Sequence, residues 1–285
     1  MPLRTILAAC SGGTASAGGV EIALQLARRF SAHVEAFHVR VDPRDIVMMA
    51  GDGFGMPISG QWIDQLVADA KTLADKTKAA FVAAAGRQGV ALADAPRPEA
   101  SASWRDEAGY APVLVADRAR FFDLVVLGRS ERVIDRPHTD TIEETLIRSG
   151  RPVLLAPAKA PDKLGETIAL GWNGAPEAVH VLSASLPLLS AARDAIVVTV
   201  GDDAAGSAAA VLEYLAWHGI KARHRKATPV AHVGPGEQVL AEARDEGADL
   251  LVMGGYGHRP WRELLFGGAT RQVLGHSLLP VLLAH

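Results

Sequence analysis

Asp249-Leu-Leu-Val-Met-Gly254-Gly-Tyr-Gly257-His-Arg-Pro-Trp-Arg-Glu-Leu-Leu-Phe-Gly267-Gly268-Ala-Thr270 decides the fold. The apolar run Asp249–Met253 reads as a buried parallel strand, because every side chain in it needs cover. Arg271–His276 reads as a short helix, and Leu279-Pro-Val-Leu-Leu-Ala284 as a closing strand. Between strand and helix lies a long glycine loop. Glycine admits positive φ and lets the backbone approach an anion. The free N–H groups at a helix start then supply donors and partial positive charge.

The spacing is G-x2-G-x9-G over Gly254, Gly257 and Gly267, followed by Gly268, Ala269 and Thr270. No Gly-Lys-Ser/Thr closes it as in a P-loop, and it is not the dinucleotide GxGxxG fingerprint. It resembles the nucleotide loop of the universal stress protein family, G-x2-G-x9-G-Ser/Thr. Gly268 stands where that family has a hydroxyl residue, and Thr270 offers one two positions later. The bland alternative is a strand-to-helix connection and nothing more, although a turn does not need so long a spacing.

The chain contains a second copy of the same unit. Asp123-Leu-Val-Val-Leu-Gly128 parallels Asp249–Gly254, and Arg151-Pro-Val-Leu-Leu-Ala156 parallels Leu279–Ala284. Thr5-Ile-Leu-Ala-Ala-Cys-Ser-Gly12 parallels Thr167-Ile-Ala-Leu-Gly-Trp-Asn-Gly174. Three matches in one order mark tandem domains, not a short-period solenoid. Pro157–Gly165 has linker composition, so the expected domains are residues 1–158 and 159–285.

The second unit reads as strand Thr167–Trp172, helix Ala178–Leu189 and strand Ala195–Val200. Helix Gly206–His218, edge strand Lys221–Ala227 and helix Glu237–Glu246 follow, with Gly247 as terminator. The fold class is therefore α/β: two tandem open parallel five-stranded sheets with helices on both faces, Rossmann-like. The family resemblance adds the strand order 3-2-1-4-5, an adenine nucleotide α-hydrolase-like class, and a last strand that pairs across a dimer. In a tandem chain that pairing becomes internal, an intramolecular pseudo-dimer with a pseudo-two-fold axis; a homodimer through the Met48–Met56 flap stays open. Ligands of such sheets sit beyond the strand carboxyl ends, where the order reverses. Asn173 and Gly254 are expected to face one crevice there.

The two sites differ. Nucleotide-binding relatives carry Asp at the end of the first strand; this chain has Asn173 in one unit and Ser11 in the other. Asn keeps donors and an acceptor without charge, or simply turns the chain with Gly174. In the first unit Glu131 replaces the second glycine, and Thr139-Asp140 align with Gly267-Gly268. Asp140 or Thr141 is read as the cap of the next helix, with Thr141-x-x-Glu144 as a capping box. A phosphate would then meet Glu131, Asp140, Glu143 and Glu144. Like charges ~4 Å apart repel by roughly 4 kcal/mol at an effective dielectric of 20, so this site is expected to be closed to nucleotide.

Composition narrows the rest. The chain has 285 residues, with net charge −3 and 21% charged residues, a globular balance with no nucleic-acid signature. One cysteine, Cys10, allows no internal disulfide. No apolar run reaches the ~20 residues of a bilayer span, which gives no membrane partner and a cytoplasmic protein as the expectation. Ten histidines form no HExxH or Cys-paired ligand set, so no metal is expected. His258 stands in the glycine loop, near phosphate or in solvent. The Met-rich stretch Asp42–Gly60 is a lid, a partner-binding flap or a loop over its own domain.

The reading is a tandem universal stress protein binding an adenine nucleotide, ATP by resemblance and with magnesium where required, in its C-terminal unit. The expected contacts are Trp172, Asn173, Met253, Gly254, Gly257, His258, Gly267, Gly268, Ala269 and Thr270. No catalytic residue is assigned: without a clear general base, slow ATP hydrolysis is the most that is expected. Its role would be stress-response regulation through a nucleotide-dependent shape and a protein partner. The rivals are an interaction module of the same fold without nucleotide, and an ATP-hydrolysing enzyme.

Overall fold

The computed structural model describes residues 2–42, 60–129, 136–202, 207–254 and 279–285. Strands β1 (Thr5–Ala9), β2 (His33–Arg40), β3 (Ala91–Leu92), β4 (Ser101–Ala108), β5 (Leu124–Gly128) and β6 (Val153–Ala156) come from the first half of the chain. Strands β7 (Thr167–Gly171), β8 (Asp194–Val200), β9 (Ala222–Ala227), β10 (Leu250–Gly254) and β11 (Val281–Ala284) come from the second. The helices are α1 (Thr14–Phe30), α2 (Gly60–Gln88), α3 (Ala111–Ala119), α4 (Arg136–Arg148), α5 (Pro176–Ser190), α6 (Ala208–Trp217) and α7 (Pro235–Asp245).

All eleven strands form one sheet in the order β3-β4-β2-β1-β5-β6-β11-β10-β7-β8-β9. Each half contains the expected 3-2-1-4-5 order, as β4-β2-β1-β5-β6 and β9-β8-β7-β10-β11. Every pairing within a half is parallel. The first half has one strand more than expected, the two-residue β3, which covers only the start of β4. The halves meet where β6 and β11 pair antiparallel, Leu282 opposite Leu154. The six strands of the first half and the five of the second are therefore continuous, with the pseudo-two-fold between β6 and β11.

Strand parity sorts the core onto two faces. Ile6, Ala8, Val126, Leu154, Leu170 and Leu282 share one cluster with side chains of α1, α2, α5 and α6. Leu7, Val125, Leu127, Val153, Leu155, Leu251, Val281 and Leu283 share the other with α3, α4 and α7. Both clusters cross the seam between halves. Helix ends follow their local sequence: α1 stops at Ser31 in the left-handed region, with Arg28 and Arg29 in its last turn. Pro176 opens α5, where a missing N–H costs nothing.

Helix α4 corrects the sequence reading. It begins at Arg136, so Asp140 and Thr141 lie inside it and are not its caps. Pro137, second in the helix, suits a first turn. The Thr141-x-x-Glu144 spacing equally places two residues on one helix face. Thr141 is buried, and its carbonyl accepts the Thr145 hydroxyl at 2.6 Å.

Candidate functional site

Strands β7 and β10 are central and adjacent, with Gly171 opposite Met253. Their carboxyl ends therefore deliver Trp172, Asn173 and Gly254 to one place, as the sequence reading requires. The backbone beyond β7 is fixed in three steps. Trp172 N–H donates to the Val198 carbonyl at 2.8 Å, extending the β8 pairing by one residue. Its indole N–H donates to Ser207 Oγ at 2.7 Å, which ties the strand end to the start of α6. Asn173 Oδ1 then accepts from Ala175 N–H at 3.1 Å, and Gly174 turns the chain at φ +75° into α5.

Asn173 is thus an exposed turn residue whose oxygen serves the local backbone. Its amide NH₂ has no partner among the described residues. Gly254 has a packing reason to be glycine: a Cβ there would lie 2.7 Å from Ala178 N and 2.8 Å from Glu177 C. The end of β10 is pressed against the first turn of α5. Met253 is half-buried. Gly257, His258, Gly267, Gly268, Ala269 and Thr270 lie outside the described residues, as do Glu131 and the Met48–Met56 segment.

The first half repeats this geometry and then departs from it. Cys10 N–H donates to the Phe37 carbonyl at 2.8 Å, and Gly12 turns at φ +84°. Above Gly12, however, lies α2. A Cβ on Gly12 would meet Leu73 Cδ1 at 2.7 Å and Thr77 Oγ1 at 2.8 Å. Among the described residues, a Cβ on Gly174 would meet only Ser207 Oγ, at 3.8 Å. Both glycines are exposed, and the difference between them is that α2 packs against Gly12. Sequence reasoning looked for an asymmetry in the acidic residues and missed this contact, which depends on the path of a helix about sixty residues further along the chain.

Three further groups line the first-half strand ends. Buried His38 stacks on Trp104 at 5.9 Å, and its Nδ1 lies 2.6 Å from the Cys10 carbonyl. Burial pushes the Cys10 thiol up to about 12, which leaves it an inert core side chain. Arg129 follows β5, and its Nη2 donates across the seam to the Leu279 carbonyl at 2.9 Å. Burial, and then the nearby Arg244 charge, push its pKa down to about 10, so it stays cationic at neutral pH. No group of three or more His, Cys, Asp or Glu residues is placed to hold a metal ion among the described residues. No described helix is long and apolar enough to cross a membrane.

Residues 163–285 match the model of the Universal stress protein family. A universal stress protein from Methanocaldococcus jannaschii is 40% identical over 48 residues, 17% of this chain. That match spans 30% of the relative's own length. Among solved structures, a universal stress protein from Archaeoglobus fulgidus DSM 4304 superposes with a TM-score of 0.67 at 16% identity, covering 99% of this chain and 96% of its own. A functionally unknown protein from Pseudomonas aeruginosa PAO1 gives a TM-score of 0.50 at 13% identity, covering 99% of this chain and 92% of its own. At these identities the two structures speak for the fold.

Proposed function

We propose, from the premise that this chain belongs to the universal stress protein family, that its C-terminal unit binds an adenine nucleotide and that the protein acts as a stress-response regulator. One observation carries the reading: among the described residues a Cβ on Gly174 would meet only Ser207 Oγ, at 3.8 Å, whereas one on Gly12 would meet Leu73 and Thr77 of α2 within 3 Å. The Gly174 strand end lies beside β10, which leads into the chain's single complete G-x2-G-x9-G sequence. The donor set suits a nucleotide. Asn173 offers an uncharged amide for base or ribose, and the loop from Gly254 to Thr270 offers backbone N–H groups for phosphates. ATP with magnesium is the ligand the family resemblance implies. The function is a nucleotide-dependent shape read by a protein partner, in a cytoplasmic protein whose two units, 1–158 and 159–285, pair within one chain.

Calorimetric titration with ATP and magnesium tests this. One site per chain is expected, and Gly267→Asp should abolish it while leaving the melting temperature nearly unchanged. A carboxylate there approximates the charge environment of the first half, where Asp140 aligns with the neighbouring Gly268. Two sites per chain, or unaltered affinity in the variant, would refute the asymmetric assignment. A second reading is an interaction module without nucleotide. It is favoured by Asn173 Oδ1, which already serves Ala175 N–H. Mass spectrometry of small molecules released from the denatured protein separates the two readings.

A further inference from the structure

The sheet has two outer edges, and they differ. On one side β9 carries Arg223, His224, Arg225 and Lys226 in succession. Two copies of that edge would meet with like signs, a usual protection against edge pairing. The other side ends on β3, which stops at Leu92 and covers β4 no further than Ala102. From Ser103 to Ala108 the outer margin of β4 is bare among the described residues. Alternation along the strand decides which groups it presents. Ser101 and Gly109 N–H donate inward, to the Ala32 and Arg40 carbonyls at 3.2 and 3.0 Å. The Ala102 carbonyl faces outward and accepts from Ala93 N–H at 2.8 Å. Trp104, Asp106 and Ala108 therefore direct their N–H and C=O groups outward, where no described strand pairs with them.

The side chains make this margin complementary to itself. Arg105 and Glu107 share one face and pair at 2.7 Å. When two β4 strands run antiparallel with Asp106 opposite Asp106, Arg105 of each copy stands opposite Glu107 of the other. Trp104 then stands opposite Ala108, so each outward-facing residue meets another and exchanges two backbone hydrogen bonds with it. Like charges directly opposite are destabilising, but each Asp106 already holds Arg40 at 2.7 Å. The strand ends at Gly109, whose φ of +147° turns the chain away before it would run into β3 of the second copy. At both ends of the pairing an exposed Leu92 is brought to an exposed Tyr110.

We propose that two copies of this chain associate through β4, edge to edge, about a two-fold axis at Asp106. The two sheets then run on as one. A closed two-fold occupies this edge in both copies, whereas β4 against β9 would build an open fibre. The contact is small and belongs with transient interfaces of less than ~1,200 Å². It is independent of the nucleotide reading, which concerns β7 and β10.

The test is sedimentation equilibrium of the full chain from ~10 µM to ~1 mM, the range in which so small an interface associates. The mean mass should rise with concentration from 30.0 kDa toward twice that value. Arg105→Glu should weaken association roughly tenfold or more, because two attractive cross-strand pairs become repulsive. Adding Glu107→Arg to that variant exchanges the signs and should restore the dimer. Ala108→Pro removes an outward N–H that the chain's own sheet does not use and should also weaken it. Arg105 and Ala108 are exposed, so neither change reaches the core. A constant mass across the range would overturn the proposal. So would unaltered association of Arg105→Glu or Ala108→Pro, no recovery in the double variant, or growth beyond the dimer.

Discussion

Two carboxylates just ahead of central strands hold the neighbouring strand starts in register. Asp249 accepts from the backbone N–H groups of Gly165, Glu166 and Thr167 at 2.7, 2.9 and 3.3 Å. Asp123 accepts from Arg4 and Thr5 N–H at 2.8 and 2.9 Å, and from the Thr5 hydroxyl at 3.2 Å. The same position in both halves does the same work, fixing β7 against β10 and β1 against β5. Truncation to alanine strands several part-buried donors, so Asp249→Ala and Asp123→Ala should each cost about 2–3 kcal/mol. Denaturant midpoints at unchanged slope measure this, and a loss below ~0.5 kcal/mol would mean water replaces the carboxylate. His33 gives a pH dependence. Its ring bridges Ser101 and Ser103 at 2.8 and 2.9 Å. Burial lowers its pKa below the ordinary 6.5, against the opposing pull of Glu35 and Asp94. A histidine lowered in the fold binds its proton more readily when unfolded. Its contribution is complete above pH 6.5 and is lost as pH falls through that value toward the folded pKa. Replacing His33 with Gln should flatten the stability–pH curve in that window and leave it unchanged above.

Among the elements, α2 matters most, because it packs against one strand-end glycine and has no counterpart at the other among the described residues. Gly12 and Gly174 share a positive φ, so alanine strains both backbones alike. Only at Gly12 does the added methyl also meet Leu73 and Thr77. Gly12→Ala should therefore destabilise by about 1 kcal/mol more than Gly174→Ala. That excess should vanish when Leu73 and Thr77 are both alanine, a coupling that chemical denaturation of the combined variants can resolve. These elements also show what was legible in advance. The apolar runs ending at Gly128, Ala156, Gly254 and Ala284 read as buried strands, and the Thr5 and Thr167 segments repeat, so the succession of elements followed from the residues, while the strand order came from the family resemblance. Asp249 was read as part of its strand because a side chain that serves distant backbone leaves no local periodicity. The start of α4 was misplaced because a capping pattern and an intrahelical i, i+3 pair have identical spacing. The packing of α2 against Gly12 was invisible, since it depends on segments far apart in sequence. The Gly257–Thr270 assignments lie outside the described residues and stay readings of the sequence.

At the scale of the molecule, the question is whether the halves behave as one body. Their backbone pairing is short: Val281, Leu282 and Leu283 against Leu155, Leu154 and Val153. Three residue pairs would make a weak joint alone, but the side chains change that. Leu154 and Leu282 lie in one core cluster, and Val153, Leu155, Val281 and Leu283 in the other, so both faces of the sheet are packed continuously across the seam. Polar ties reinforce it. Arg129 reaches the Leu279 carbonyl, and Arg29 reaches the carbonyls of Leu164 and Ala191. Unfolding either half would expose the apolar seam of the other and strand a buried guanidinium, so neither half should persist by itself. We therefore predict one calorimetric transition, with the ratio of calorimetric to van't Hoff enthalpy near one. Leu282→Asp, which puts a charge into the centre of the seam, should lower that transition as a whole and not split it. Two resolved transitions in the unsubstituted protein, or a ratio near two, would show that the halves unfold independently and that the continuous sheet is a docked pair of autonomous domains.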